Sequence, residues 1–156
     1  IKWFIEECWD NVRQSTPHVQ AYFAGRYMPQ WLKNTNIEGI HIVGEVEDSI
    51  RFMTSKQIMV VPLLSGSGIR IKIIEAMSIG KTVVATSIAA EGIMYEDKKN
   101  ILIANTPQEF ADAIKFCIEN PLECKKIGEE AYKLIAEKYS NDQVVNQLLA
   151  LYQQIL

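Results

Sequence analysis

The residue types most able to do chemistry gather in one stretch, Pro62-Leu-Leu-Ser-Gly-Ser-Gly-Ile-Arg-Ile-Lys-Ile-Ile-Glu-Ala-Met-Ser-Ile-Gly-Lys81. An apolar β-type run over residues 57–61 leads into a short Gly/Ser loop, and a run with helical spacing follows and stops at Gly80. Strand, glycine-rich turn and helix in that order leave backbone N–H groups unpaired at a helix N-terminus. The macrodipole also favours negative charge there, so the natural guest is a phosphate. Gly66 and Gly68 permit positive φ and let a ligand approach the main chain closely. Arg70 and Lys72 can add positive charge beside it. Glu75 lies just over one turn into the helix, where it would repel a bare phosphate but can accept hydrogen bonds from sugar hydroxyls. A ligand with both parts, a nucleoside diphosphate, fits better than phosphate alone.

The elements on either side must hold this loop. Ile1, Phe4, Ile5, Cys8 and Val12 recur at helical spacing, with Trp3 and Trp9 beside them, as far as Thr16-Pro17. Residues 18–24 read as a strand closed by Gly25-Arg26, and residues 29–33 as a helical turn with Trp31 and Leu32 facing inward. Residues 40–43 form a second strand ending at Gly44, and Asp48 is placed to cap a short helix carrying Ile50, Phe52 and Met53. The continuous apolar run 58–61 suits a parallel strand covered on both faces, and residues 82–86 and 101–104 supply two more strands. Pro107 opens a helix through Phe110, Ala111, Ile114, Cys117 and Ile118, which Asn120-Pro121 breaks. A further helix spans 122–138, and Ser140-Asn-Asp142 caps a last one that runs to the C-terminus and is apolar over much of its circumference.

Strands alternating with helices imply right-handed βαβ units. The predicted fold is α/β: one Rossmann-like open parallel sheet with helices on both faces and a helical C-terminal extension, in a single domain over residues 1–156. In such sheets ligands sit beyond the C-terminal ends of the strands. Gly25-Arg26, Gly44-Glu45-Val46, residues 65–70 and residues 87–92 all fall on that edge, which makes one site of four loops.

Bulk properties narrow the choice of partner. The chain has 156 residues, 48% hydrophobic and 22% charged, ordinary values for a globular domain large enough to bury a core. Its net charge of −3 and lack of a long basic block argue against nucleic acid as the main partner, so an anionic ligand must be held locally. No apolar run approaches the roughly 20 residues needed to cross a bilayer, and no signal peptide is visible. Three cysteines without metal-type spacing read as reduced thiols of a cytosolic compartment. Cys117 and Cys124 read as small buried apolar residues, with a redox pair as the alternative. His41 reads as a hydrogen-bonded core residue, and neither it nor His18 has companions at metal-ligand spacing, so no metal is expected. Trp3, Trp9, Trp31, Tyr22 and Phe23 read as core and sheet cover. Because Ile1 is not a methionine and the first residues already read as mid-domain helix, the chain is expected to be part of a longer protein.

The motifs also occur in a recognisable series. Val43-Gly44-Glu45-Val46-Glu47-Asp48, Val61-Pro62-Leu63, the stretch from Ser65 to Lys81, Val83-Val-Ala-Thr86 and Ala90-Glu-Gly92 are followed by Asn120-Pro121, Ile127-Gly128 and Lys138-Tyr-Ser140. Together they resemble the C-terminal, donor-binding half of a group 1 (family 4) glycosyltransferase, a retaining enzyme of GT-B architecture. The resemblance implies a domain that holds a UDP- or GDP-sugar without a cofactor or bound metal. It further implies an acceptor-binding N-terminal domain and a first donor-domain strand, both absent from this chain, without which transfer would not occur. Glu75 corresponds to the family acid that accepts hydrogen bonds from the ribose. Ser67 stands where the family usually has a second acid on the transferred sugar, a departure shared by a subset of members. By the same resemblance Gly68, Ile69, Arg70 and Ile71 face the diphosphate, Gly44, Glu45 and Val46 lie near the base, and Arg70 and Lys72 are candidate stabilisers of the leaving group. Arg26 is a further candidate for ligand contact, and Glu91-Gly92 reads either as a turn with positive φ at Gly92 or as a loop in which Glu91 orients the site.

The reading that follows is a glycosyltransferase in cell-surface glycan assembly, cytoplasmic or at the inner face of the membrane, with a glycan or lipid-linked acceptor and any peripheral membrane contact made through the missing half. A sugar-nucleotide epimerase of the same architecture and a non-catalytic nucleotide-sugar-binding module are the alternatives.

Overall fold

The structure, a computed structural model, describes residues 1–140 together with 143, 145, 149, 152 and 153. The last helix expected from Ser140-Asn-Asp142 onward therefore lies outside the described residues. A π-helical turn, Phe4–Cys8, runs directly into α1, Trp9–Ser15, and buries Phe4, Ile5, Cys8, Trp9 and Val12 on one face. β1 (Ala21–Ala24), α2 (Gln30–Lys33), β2 (Ile40–Gly44) and α3 (Ser49–Thr54) follow. Asp48 caps α3 by accepting from the Arg51 N–H at 2.9 Å. Then come β3 (Ile58–Val61), α4 (Ile71–Ser78), β4 (Thr82–Ala85), β5 (Leu102–Ile103), α5 (Pro107–Glu119) and α6 (Pro121–Lys138). α5 begins on a capping box in which Thr106 and Glu109 take each other's backbone N–H, with Pro107 in the first turn. The amides of Asn105 and Thr106 hold the Glu109 carboxyl below its usual range.

All strand pairs are parallel, with Ala21 opposite Ile40, Ile58 opposite Thr82 and Val84 opposite Leu102. They form two ladders, β1-β2 and β3-β4-β5, where one continuous sheet was expected. β1 and β3 each have a ladder partner on one edge only among the described residues.

Alternation along the strands distributes the core. Val84, Leu102, Ile58 and Val60 join Trp9, Val12, Phe110 and Ile114 beneath α1 and α5. Val83, Ala85, Met59 and Val61 turn the other way, onto Ile73, Met77, Ala131 and Ile135 of α4 and α6. β4 is accordingly buried at every position. The β1-β2 ladder is covered on one side only: Ala21, Phe23, Ile40 and Ile42 pack inward, while Tyr22, His41 and Val43 are exposed.

Three expectations are corrected here, the first being Tyr22, which stands 41% exposed on that open face rather than in the core. His41 is exposed rather than core, stacked on Tyr22 with ring centroids 4.7 Å apart and hydrogen-bonded through Nε2 to Gln20 at 2.6 Å. It is the second residue of a strand whose first and third, Ile40 and Ile42, face the core, so period-2 geometry puts it outside. Trp31 likewise points outward at 45% exposure, because a single helical turn can bury only one of two neighbours and Leu32, at 2%, takes that place.

α4 ends where Gly80 adopts φ 70°, and α6 crosses it there. A Cβ built on Gly128 would lie 2.1 Å from the Gly80 carbonyl oxygen, so the helices meet backbone to backbone. Gly128→Ala must push α6 off α4, an overpacking cost of about 1–3 kcal/mol. Thermal unfolding of the variant is expected to show a midpoint lower by about 5 °C.

Candidate functional site

The glycine-rich loop leaves β3 at Pro62 and reaches α4 at Ile71. Gly66 (φ 140°) and Gly68 (φ 78°) take conformations that L side chains avoid, and this turns consecutive amides outward. Among the described residues, no protein group accepts from the N–H groups of residues 66–71. α4 has no side-chain cap at Arg70. The Arg70 side chain instead folds back over the loop, with Nη1 donating to the Ser67 carbonyl at 2.7 Å. Its Nη2 stands 1.9 Å from where a Gly66 Cβ would be, so only glycine admits it. Arg70 Nε is buried with no hydrogen-bond partner, an unmet donor of the kind that costs roughly 1–3 kcal/mol. The outcome is a cation folded beside a row of unengaged amides.

Neighbouring strand ends brace this loop. Thr86, the residue after β4, donates its hydroxyl to the Leu63 carbonyl at 2.5 Å and its amide to the Val61 carbonyl at 3.3 Å. Asn105, just past β5, accepts from both the amide and the hydroxyl of Ser87 at 2.9 Å. Gly92 has φ 79°, and a Cβ there would come within 2.8 Å of Ile69 Cγ1. The Glu91-Gly92 turn thus supports the glycine-rich loop through Gly92, with Glu91 exposed beside it. Thr86 and Asn105 had no sequence signal, since their partners lie 23 and 18 residues away.

Glu75 stands on the next turn of α4, half-buried, and holds Lys72 in an ion pair at 2.5 Å. An exposed i,i+3 pair of this kind contributes only a few tenths of a kcal/mol, so a competing donor can displace Lys72 at small cost. Ser67 and Ile71 are exposed on the same stretch.

The remaining predicted residues form a second group. Arg26, two residues past β1, and Glu45, one past β2, pair at 2.6 Å in the open. A cavity of about 440 Å³ lies there, lined by Gly25, Arg26, Tyr27, Lys33, Gly44 and Glu45 among others. Gly44 has φ 81°, which turns the chain out of β2, and Val46 follows beyond the lining. Tyr27 was not anticipated: it has φ 54° and is 98% exposed at the cavity mouth. No hydrogen bond or ion pair among the described residues joins this group to the glycine-rich loop. Nor does any cluster of three or more His, Cys, Asp or Glu among them stand ready to hold a metal ion.

Comparison with known proteins places this geometry in a family. The model described as glycosyl transferases group 1 matches residues 1–120. An uncharacterized 44.6 kDa protein in the cps region of Klebsiella pneumoniae is 32% identical over 160 residues, covering 94% of this chain and 40% of the relative. Among solved structures, Anabaena Alr3699/HepE in complex with UDP superposes with a TM-score of 0.77 at 20% identity, over 96% of this chain and 44% of that one. The C-terminal domain of the group 1 glycosyl transferase LpcC from Francisella tularensis gives 0.65 at 22% identity, over 83% of this chain and 74% of that domain. The chain thus spans less than half the length of the Klebsiella and Anabaena proteins. With parallel ladders, covering helices and a family match over most of its length, the chain belongs to the group 1 glycosyltransferases and has their Rossmann-like GT-B fold.

Proposed function

We propose that this chain is the donor-binding domain of a retaining glycosyltransferase, and that the head of α4 grips the diphosphate of a nucleotide sugar. The observation that carries the reading is the run of unengaged amides over residues 66–71 with Glu75 one turn further on. Phosphate oxygens would accept from those amides and from Arg70, whose buried Nε has a donor to offer. Glu75 would exchange Lys72 for the two ribose hydroxyls, and Lys72 would then be free to swing toward the phosphates. Gly44, Glu45 and Val46 would meet the base. The chemistry is loss of a nucleoside diphosphate from the anomeric carbon with net retention, in which fixed amides and the Arg70 guanidinium receive the growing charge. Ser67 offers no carboxylate to the transferred sugar. The Anabaena protein's complexes with UDP and with UDP-glucose favour uracil as the base, and the Klebsiella relative's place in the cps region favours cell-surface glycan assembly at the cytoplasmic face of a membrane.

Isothermal titration with UDP, GDP and their sugars tests this. One nucleotide binds, and Glu75→Ala weakens it roughly tenfold or more through loss of two hydrogen bonds to an anionic acceptor. Binding unaffected by that substitution would remove Glu75 from the site.

The reading also assigns an additional strand to the sheet. In doubly wound folds the order 3-2-1-4-5-6 puts the first strand at the centre. The observed orders, β2-β1 and β3-β4-β5, match that series with its first member left out. A strand preceding Ile1 in the longer protein would pair with both β1 and β3 and join the two groups of site residues. A chain extended upstream through that strand is expected to bind the nucleotide at least tenfold more tightly than residues 1–156, and to transfer sugar only when the N-terminal domain is also present. Equal affinity of the short and extended chains would sink this part of the proposal.

A further inference from the structure

Lys138-Tyr139-Ser140 closes α6, far along the chain from the glycine-rich loop, yet its tyrosine reaches the segment that supports that loop. Tyr139 is the residue after the helix: its amide still donates to the Ile135 carbonyl at 2.9 Å, while its own backbone leaves the helical region at φ −125° and ψ 9°. The ring is half-buried and packs against the cluster that holds Ile73, Met77, Ala131 and Ile135. The hydroxyl comes out of that cluster onto the turn at residues 92–94. There it accepts from the Met94 amide at 2.8 Å and donates to the Gly92 carbonyl at 3.4 Å, across 45 and 47 positions of sequence. An aromatic body fixed by packing and a polar tip on a loop is well suited to hold that loop still.

The turn passes this restraint on. Ile93, between the two bonded residues, is buried in the same cluster, and Gly92 at φ 79° lies so close to Ile69 that a Cβ would come within 2.8 Å of its Cγ1. Ile69 sits between Gly68 and Arg70, in the middle of the unengaged amides. Contact therefore runs from Tyr139 Oη through the 92–94 backbone to Ile69. Among the described residues no other side chain hydrogen-bonds the backbone of residues 91–95, and Met94 itself is 68% exposed. The hydroxyl is the polar anchor of this corner.

We propose that Tyr139 is a positioning residue for the diphosphate site: its hydroxyl holds the 92–94 turn, the turn holds Ile69, and the amides of residues 66–71 keep the directions an anion requires. A row of donors that must first be ordered by its ligand binds more weakly, because the ordering cost is subtracted from the interaction. Tyr139 acts through Gly92 and Ile69 and not on the ligand. The assignment to the diphosphate rests on the donor-binding reading, whereas the restraint on the loop is independent of it.

Tyr139→Phe keeps the ring in its cluster and removes the hydroxyl alone, so two measurements on it beside the unsubstituted chain test the proposal. The first is limited trypsin digestion of the folded chains, with early products identified by mass. Arg70 is folded back over its loop, so cleavage after it reports the loop's release. That cleavage is expected roughly fivefold faster in Tyr139→Phe, with cleavage after Arg51 and Lys126 unchanged. The second is isothermal titration with UDP and GDP. The nucleotide that binds the unsubstituted chain is expected to bind Tyr139→Phe about three- to tenfold more weakly, with a thermal midpoint within about 2 °C. An unchanged rate after Arg70, or acceleration at all three positions together with a lowered midpoint, would overturn the restraint. Equal nucleotide affinity, with Glu75→Ala still impaired, would leave the donor-binding reading intact and remove Tyr139 from it. Nucleotide bound by neither chain would overturn that reading and the assignment of Tyr139 to the diphosphate, and the rate after Arg70 would still decide whether the hydroxyl holds the loop.

Discussion

Burial of β4 on both faces is the constraint from which the rest of the structure follows. Val83 and Ala85 look toward α4 and α6 while Val84 looks toward α1 and α5, so one short strand is shared by both hydrophobic clusters. Such a strand has nowhere to shift: a one-residue slip would exchange the contents of the two cores. Its C-terminal end is therefore a fixed point. Thr86, next in line and 2% exposed, is still inside the packed layer and must spend its hydroxyl and amide on neighbouring carbonyls, those of Leu63 and Val61. In this way a core requirement becomes the positioning of the glycine-rich loop.

At that loop the structure sets up an electrostatic arrangement that the net charge of −3 alone would not suggest. Amides turned outward by Gly66 and Gly68, the head of α4 and the folded-back guanidinium of Arg70 concentrate positive potential at one spot on a slightly acidic surface. Local geometry outweighs the overall charge balance because backbone dipoles and one arginine act at hydrogen-bond distance, whereas the remaining charges are exposed and screened. Several of them pair along helix faces, as Lys126 does with Glu123 and Lys133 with Glu130.

The two ends of the strands carry different features of this chain. The C-terminal edge holds loops with positive-φ glycines and unengaged amides. The N-terminal edge holds side chains that satisfy the carbonyls of the α5–α6 corner, Gln57 and Thr82 on the main chains of Cys117 and Cys124. Between them, Gly128 lies on the Gly80 backbone, so α6 packs there with no side chain between the two main chains.

Local information in the sequence was enough for the order of elements, the capping of α3 by Asp48, the start of α5 at Pro107 and the break at Asn120-Pro121, because each depends on neighbours within a turn or two. It was also enough for the positive-φ glycines of the loop and for the placement of Glu75 one turn beyond it. What only the tertiary structure decided were matters of which face is covered and which distant group is a partner. The open side of the β1-β2 ladder exposes Tyr22 and His41, and Leu32 rather than Trp31 enters the core. Parallel pairing split into two ladders, Arg70 folded over its own loop, Thr86 and Gly92 became its supports, and Asn105 took hold of Ser87. Periodicity states that a residue has an inner or an outer side, but which side is covered depends on elements tens of residues away, and no local pattern encodes that.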